Sequence, residues 1–202
     1  MNFYKYLLLF SILIFMASCE EDDNNTNAGT PNPPTKKYLT ENVIVVVIDG
    51  PRYTETWGDS THQHQPRLAN DLASKGVIYT DFRNNGETWT VPGHVAISTG
   101  NYQAIANNGT ELPQLPSMFQ HWLKQTEKDS TKSWIVASKD KLSILANTMV
   151  STWNNEYMPA TNCGVGGLGA GSGYRHDSIT FDTIQYVLSN YHPNLMLINF
   201  RE

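Results

Sequence analysis

Two short stretches hold the side chains best placed to do chemistry. Residues 42–50 read NVIVVVIDG and end on Asp49 and Gly50; residues 86–100 read GETWTVPGHVAISTG and set Thr90, Pro92 and His94 close together. A carboxylate after an apolar run suits a hard or borderline divalent ion, which prefers oxygen and imidazole ligands. Aspartate also bonds the backbone of ordinary turns, so Asp49 alone allows both uses. Thr90 is open in the same way. Its hydroxyl can cap a helix, with Pro92 in the first turn where a missing N–H costs little. The same geometry also places a hydroxyl at the positive end of a helix, which is an anion site. His94 lies four residues after Thr90, one helical turn on, and reads as support for that turn. His62 and His64, in STHQHQP, have the i, i+2 spacing that puts them on one side of an extended segment. A polar surface loop explains that pair better than metal binding does. The aromatics of PRYTETWGD, after Asp49, either line a pocket or cover a sheet.

The elements that must position these groups follow from periodicity. The run at 42–50 is β-branched and continuous, which predicts a strand buried on both faces of a parallel sheet. Residues 65–76 have apolar residues at helical spacing and a glycine at the C-cap position. Residues 76–82, GVIYTDF, predict a second strand. Residues 115–126 predict a helix, 133–138 a strand, 178–191 a helix and 194–200 a strand. Alternating strands and helices predict an α/β fold, a mostly parallel sheet with helices on both faces. In open sheets of this kind functional groups gather beyond the carboxyl ends of the strands, and both Asp49 and Thr90 are predicted at that edge. The glycine-rich stretch 162–177 lacks a strand-GxGxxG or Walker context, which argues against a nucleotide cradle. The sequence closes on LINFRE, directly after a buried-looking strand, so the fold is expected to be truncated at its C-terminus.

The start of the chain has a different character. Residues 1–19 carry one lysine, an apolar run from 6 to 15 and small residues before Cys19, the plan of an export signal too short to be a spanning helix. The MASC end resembles a bacterial lipobox, with Met16 where leucine is commoner, which makes Cys19 the expected lipidation site. The EEDD that follows resembles the export tag of Bacteroidetes-type lipoproteins and implies an outer-membrane anchor with possible surface exposure. Residues 20–37 hold almost no large apolar side chain and read as a disordered acidic and Pro-rich tether. Residues 38–202 are one domain's worth of chain. A net charge of −5 and the lack of any lysine- or arginine-rich run give no nucleic-acid-binding surface. With Cys19 assigned to lipid, Cys163 stands alone.

VIVVVIDG followed about forty residues later by TVPGHVAISTG resembles the alkaline phosphatase superfamily. The likeness is to the branch of type I phosphodiesterases/nucleotide pyrophosphatases, phosphonoacetate hydrolases and threonine-nucleophile alkaline phosphatases, and it spans the N-terminal half of such a domain. The resemblance implies that Asp49 binds one metal of a two-zinc site and that Thr90 is both metal ligand and nucleophile. It implies a hydrolase of small phosphoric esters working through a phosphothreonine intermediate. Metal coordination would activate a hydroxyl that is otherwise a poor nucleophile, and first-turn N–H groups would meet the phosphoryl oxygens. Asn107 and Asn108 lie where these enzymes carry a substrate-binding asparagine, although two asparagines before a glycine also make an ordinary turn. VASKDKL resembles the loop of substrate-binding lysines in phosphonoacetate hydrolases. It makes Lys139 and Lys141 candidates to neutralise phosphate or carboxylate, against the solvated position usual for such lysines.

The chain also departs from this pattern. The remaining ligands of a two-zinc site, an Asp-x-x-x-His, an Asp-His pair and a final histidine, are expected beyond Glu202, so the polypeptide alone is expected to be weak or inactive. Sulfatases of the superfamily use a cysteine or serine that becomes formylglycine, a change threonine cannot undergo, which favours phosphorus over sulfur. The competing expectations are a sulfatase-type hydrolase and a catalytically inactive surface lipoprotein that binds phosphorylated or glycan ligands. A phosphoglycerate-mutase-like phosphotransferase fits poorly with export and with threonine.

Overall fold

The computed structural model describes residues 39–201. The signal segment, Cys19 and the tether lie outside the described residues. Four strands, β1 (Val43–Ile48), β2 (Ser133–Ala137), β3 (Ala160–Cys163) and β4 (Leu195–Phe200), form one sheet in the order β1-β4-β2-β3. Every pairing is parallel, and the register sets Val43 and Ser133 on either side of Leu195. Among the described residues three α-helices accompany it: α1 (Thr90–Thr99), α2 (Met118–Thr126) and α3 (Asp177–Tyr191). The protein is therefore α/β, with β2 and β4 at the centre of an all-parallel sheet.

Alternation along the central strands divides the core in two. Ile135, Ala137, Leu195 and Leu197 point to one face and pack with Val91 and Val95 of α1 and Phe119 of α2. Trp134, Val136, Met196 and Ile198 point to the other and pack with Ile184 and Val187 of α3. Helices thus cover both faces, as the alternating pattern predicted. Each fully buried Ile, Leu or Phe contributes about 1.5–3 kcal/mol by leaving water.

Three expectations are corrected. The 42–50 run was predicted as a strand buried on both faces, yet β1 is an edge strand with Val46 and Ile48 about half exposed (51% and 52%). A β-branched run signals strand; it does not say whether the strand has one neighbour or two. Residues 76–82 form no strand: they have no ladder partner, and Val77, Tyr79 and Phe82 are exposed. Residues 65–76 do not form a regular α-helix. A π turn at Leu68–Leu72 runs into a 3-10 turn at Ala73–Lys75, and Gly76 lies at extended φ rather than in the left-handed cap expected of it. Leu68 and Leu72 meet no core there, and without burial of an apolar face a helix this short has little to hold it.

The 115–126 helix forms from Met118. Ser117 Oγ accepts the Gln120 N–H and Gln120 Oε1 accepts the Ser117 N–H, a reciprocal capping box that explains the later start. β3 and the 3-10 segment Asp140–Ala146 were not anticipated. Their sequences, ATNC and DKLSILA, are too short and mixed to show a period.

Candidate active site

The carboxyl edge of the sheet fixes the two leading residues. The Asp49 N–H donates to Phe200 O at 3.0 Å and continues the β1–β4 ladder one step, so the carboxylate starts from an ordered backbone. Gly50 then turns the chain away at φ +97°. Thr90 is the first residue of α1. The N-cap is Trp89, which makes no side-chain cap, so the helix-cap use of Thr90 is not the one adopted. Pro92 does sit in the first turn. Asn107 supplies the missing cap from another segment, its Oδ1 accepting the Val91 N–H at 2.9 Å. That bond also revises the expected supply of first-turn donors. Pro92 has no N–H and the Gly93 N–H goes to Trp89 O, which leaves Thr90's own N–H as the first-turn donor without a partner among the described residues.

Lys139, just after β2, joins the two leading residues. Its ammonium pairs with Asp49 Oδ2 and donates to Thr90 Oγ1 at 3.3 Å, although 90 and 49 residues separate it from them. Its side chain is 13% exposed, well away from a solvated position. Lys141 is buried beside it and donates to Asn107 O and Oδ1 at 3.0 and 3.2 Å. Gly109, at φ +79°, allows this approach: a Cβ there would lie 2.6 Å from Lys141 Cβ. Asn107 therefore belongs to the cluster. Asn108 instead bonds Thr110 N and Oγ1 at 3.0 and 2.8 Å, an Asx turn, and does not join it.

His94 holds the turn that presents Thr90. Its Nδ1–H donates to Thr90 O at 2.7 Å, while Nε2 lies 3.4 Å from Asn199 Nδ2 and accepts from it. These partners define a neutral tautomer, and burial holds the imidazole pKa below its ordinary value. Asn199 is fully buried, and its Oδ1 has no partner among the described residues. Sequence reading missed this residue. Its signal was a polar side chain inside the apolar strand LMLINF.

Tyr174 and Arg201 were also missed. The Tyr174 ring has Lys139 Nζ at 5.9 Å, Lys141 Nζ at 5.7 Å and Arg201 Cζ at 5.7 Å from its centroid, so the edge of the site is aromatic and positively charged. Neither residue stands in a pattern that would have singled it out. The glycine-rich stretch packs behind them. Asp140 Oδ2 accepts the N–H groups of Gly171 and Gly173, both at 2.9 Å, so these potential anion donors are already engaged by a carboxylate. Cys163 is free and buried, and burial pushes its thiol pKa up to about 12, which leaves it inert.

His62 bonds Thr56 O at 3.3 Å and meets Trp57 edge-on, the contacts of a local turn. Among the described residues no three His, Cys, Asp or Glu side chains group to hold a metal. Asp49 and Thr90 present two oxygen donors, with an ammonium between them rather than a further acceptor. They do not on their own fit a zinc centre.

Neither family models, nor curated proteins, nor solved structures give a match to this chain.

Proposed function

We propose that the protein is a hydrolase of phosphoric esters in which Thr90 is the nucleophile. The observation that carries this reading is the Lys139 ammonium bonded to both the Asp49 carboxylate and the Thr90 hydroxyl. Two residues singled out by type and motif, Asp49 and Thr90, share one cation, Lys139, which comes from a third segment. A hydroxyl needs help to attack at neutral pH. A cation 3.3 Å from Oγ1 stabilises the charge that develops there as the proton leaves. Thr90 Oγ1 bonds to phosphorus as the bond from phosphorus to the alcohol oxygen breaks, and the hydroxyl proton passes to that departing oxygen, which leaves as the alcohol. Water then attacks phosphorus, the bond from phosphorus to Thr90 Oγ1 breaks, one proton of the water goes to Oγ1, and the phosphate leaves. Lys141, held by the same Asn107 whose Oδ1 caps Val91, and the Thr90 N–H would be the donors to the phosphoryl oxygens.

The alkaline phosphatase-like fold and two divalent ions, with zinc the metal implied by the resemblance, remain part of this proposal. Asp49 and Thr90 are the residues that would contribute oxygen ligands; the described residues group no further ligands with them. Anchoring to the outer membrane through a lipid on Cys19 is likewise proposed. A second reading, binding of a phosphorylated ligand without turnover, is favoured by the Lys139–Asp49 ion pair, because an ammonium on that carboxylate competes with a metal. Turnover of p-nitrophenyl phosphate and bis-p-nitrophenyl phosphate by the chain and its Thr90→Ala variant separates the two readings. The hydrolase reading expects turnover in the parent, weak because the described residues lack most of the expected ligand set, and none in the variant. Binding of inorganic phosphate without turnover in either would favour the second.

A further inference from the structure

Lys139, Tyr174 and Arg201, the cationic and aromatic edge of the site, all hang on one buried polar network at the carboxyl ends of β2, β3 and β4. Ser138 precedes Lys139 in the chain, and Arg175 follows Tyr174. The network runs from a cation to an anion. Arg175 Nε donates to Thr180 Oγ1 at 2.9 Å, Thr180 Oγ1 lies 2.6 Å from Ser138 Oγ, and Ser138 Oγ donates to Asp177 Oδ1. A guanidinium only donates and an ionised carboxylate only accepts, so the two hydroxyls between them point one way, each giving one hydrogen bond and taking one. The Arg201 N–H reaches the same Asp177 Oδ1 at 2.9 Å. Arg175 also holds Asn162 of β3, with Nη1 on Oδ1 and Nη2 on the backbone O at 3.0 Å. Its own N–H donates to Ser138 O at 3.0 Å.

Polar groups are a costly filling for an interior. Ser138 and Thr180 are fully buried and Arg175 is 5% exposed. Well-packed apolar side chains of similar volume often serve stability as well or better, and farther along α3 Ile184 and Val187 pack against the sheet in that way. Hydrogen bonds add what apolar packing does not, a fixed direction for each group they join. Asp177 Oδ1 holds the residue before Lys139 by its side chain and Arg201 by its backbone N–H, so one oxygen ties together the segments that carry both cations. The Ser138 N–H meanwhile donates to Asn199 O at 3.0 Å, which ties the start of the Lys139 segment to β4. From that anchored start Lys139 reaches Asp49 and Thr90 Oγ1. We propose that Ser138 and Asp177 are positioning residues, which set Lys139 and Arg201 for the phosphoryl group without touching it themselves. This rests on the Thr90 reading for what the cations meet, but the positioning can be measured without turnover.

The test titrates inorganic phosphate into the chain by phosphorus NMR, and repeats the titration with Ser138→Ala, Asp177→Ala, Asp177→Asn and Val187→Ala. Ser138→Ala and Asp177→Ala should each weaken binding roughly tenfold, the worth of about one hydrogen bond to a charged group. Asp177→Asn keeps an oxygen that accepts from Ser138 Oγ and the Arg201 N–H, so it should bind within about twofold of the parent. Val187→Ala loosens α3 without touching the network; it should melt earlier and bind phosphate as the parent does. Ser138→Ala is the smallest change and carries the test where Asp177→Ala fails to fold. Parent affinity in Ser138→Ala, equal losses in Asp177→Ala and Asp177→Asn, or a loss in Val187→Ala as large as in Ser138→Ala overturns the proposal. So does a parent chain that binds no phosphate. In turnover of p-nitrophenyl phosphate, kcat should fall about a hundredfold in Ser138→Ala, the order of loss when a group at the reacting atoms is misplaced. Turnover abolished in Thr90→Ala but unchanged in Ser138→Ala would sink the positioning role and leave the hydrolase reading intact. Phosphate affinities in the expected order with no turnover would support the positioning role and sink the Thr90 reading.

Discussion

At Lys139 one ammonium serves two acceptors of different kinds, a carboxylate and a hydroxyl. The carboxylate fixes the cation, and the fixed cation polarises the hydroxyl. Lys139→Met keeps the length of the side chain and removes the charge. It should lower turnover of p-nitrophenyl phosphate by about a hundredfold, the usual loss when one preorganised donor to a developing oxyanion is removed; steady-state kinetics would read it. His94 makes a separate prediction, in pH. Its folded-state pKa is lowered by burial from 6.5, so below about pH 6.5 the unfolded chain takes up a proton that the folded chain refuses. Stability therefore falls as the pH drops through and below 6.5 and levels off once the lower folded value is passed. Thermal melts between pH 7.5 and 5 should show that decline, and His94→Gln should flatten it. Asp49, Thr90 and the lysine pair were legible from residue type and motif. Asn199, Tyr174 and Arg201 were not, because their places at the site are set by pairing of β4 and by the path of a glycine-rich loop, neither of which leaves a local pattern.

Among the elements, the strands at 133–138 and 194–200 and the helix at 178–191 were placed to within a residue, whereas α2 begins three residues later than its spacing predicted. The start of α2 is written in a few residues: Ser117 and Gln120 cap each other, and Gln120 Nε2 also donates across the chain to Trp153 O and Glu156 O at 3.0 and 2.9 Å. Ser117→Ala should cost about 1 kcal/mol, the ordinary worth of an N-cap, read as a shift in urea midpoint at unchanged slope. The segments at 65–76 and 76–82 show the opposite case. Their apolar spacing fits a helix and a strand, but each needs a non-local surface, a core for Leu68 and Leu72 or a ladder for residues 77–82, and neither meets one among the described residues. Periodicity reports what a segment is able to bury; packing decides whether it does.

Across the whole molecule, the order β1-β4-β2-β3 brings the carboxyl ends of β1, β2 and β4 side by side, and so gathers Asp49, Lys139 and Asn199 at one edge although the first and the last are 150 positions apart. It also puts the most β-branched strand, which the sequence predicted to be buried on both faces, at the rim and the shorter SWIVA at the centre. Val46→Thr, on the half-exposed β1, should therefore change stability by no more than about 0.5 kcal/mol, whereas Ile135→Ala in β2 should cost about 2–5 kcal/mol. Equilibrium unfolding of the two variants checks the strand order directly.

The central claim is that Thr90 takes the phosphoryl group. The measurement that meets it most squarely is mass spectrometry of the chain quenched in acid during turnover of p-nitrophenyl phosphate, with the peptide that contains Thr90 sequenced by fragmentation. The account predicts one phosphoryl group on Thr90, present during turnover and lacking in Thr90→Ala. Turnover with an unmodified Thr90 peptide at every quench time, or a phosphoryl group on another residue, would contradict it.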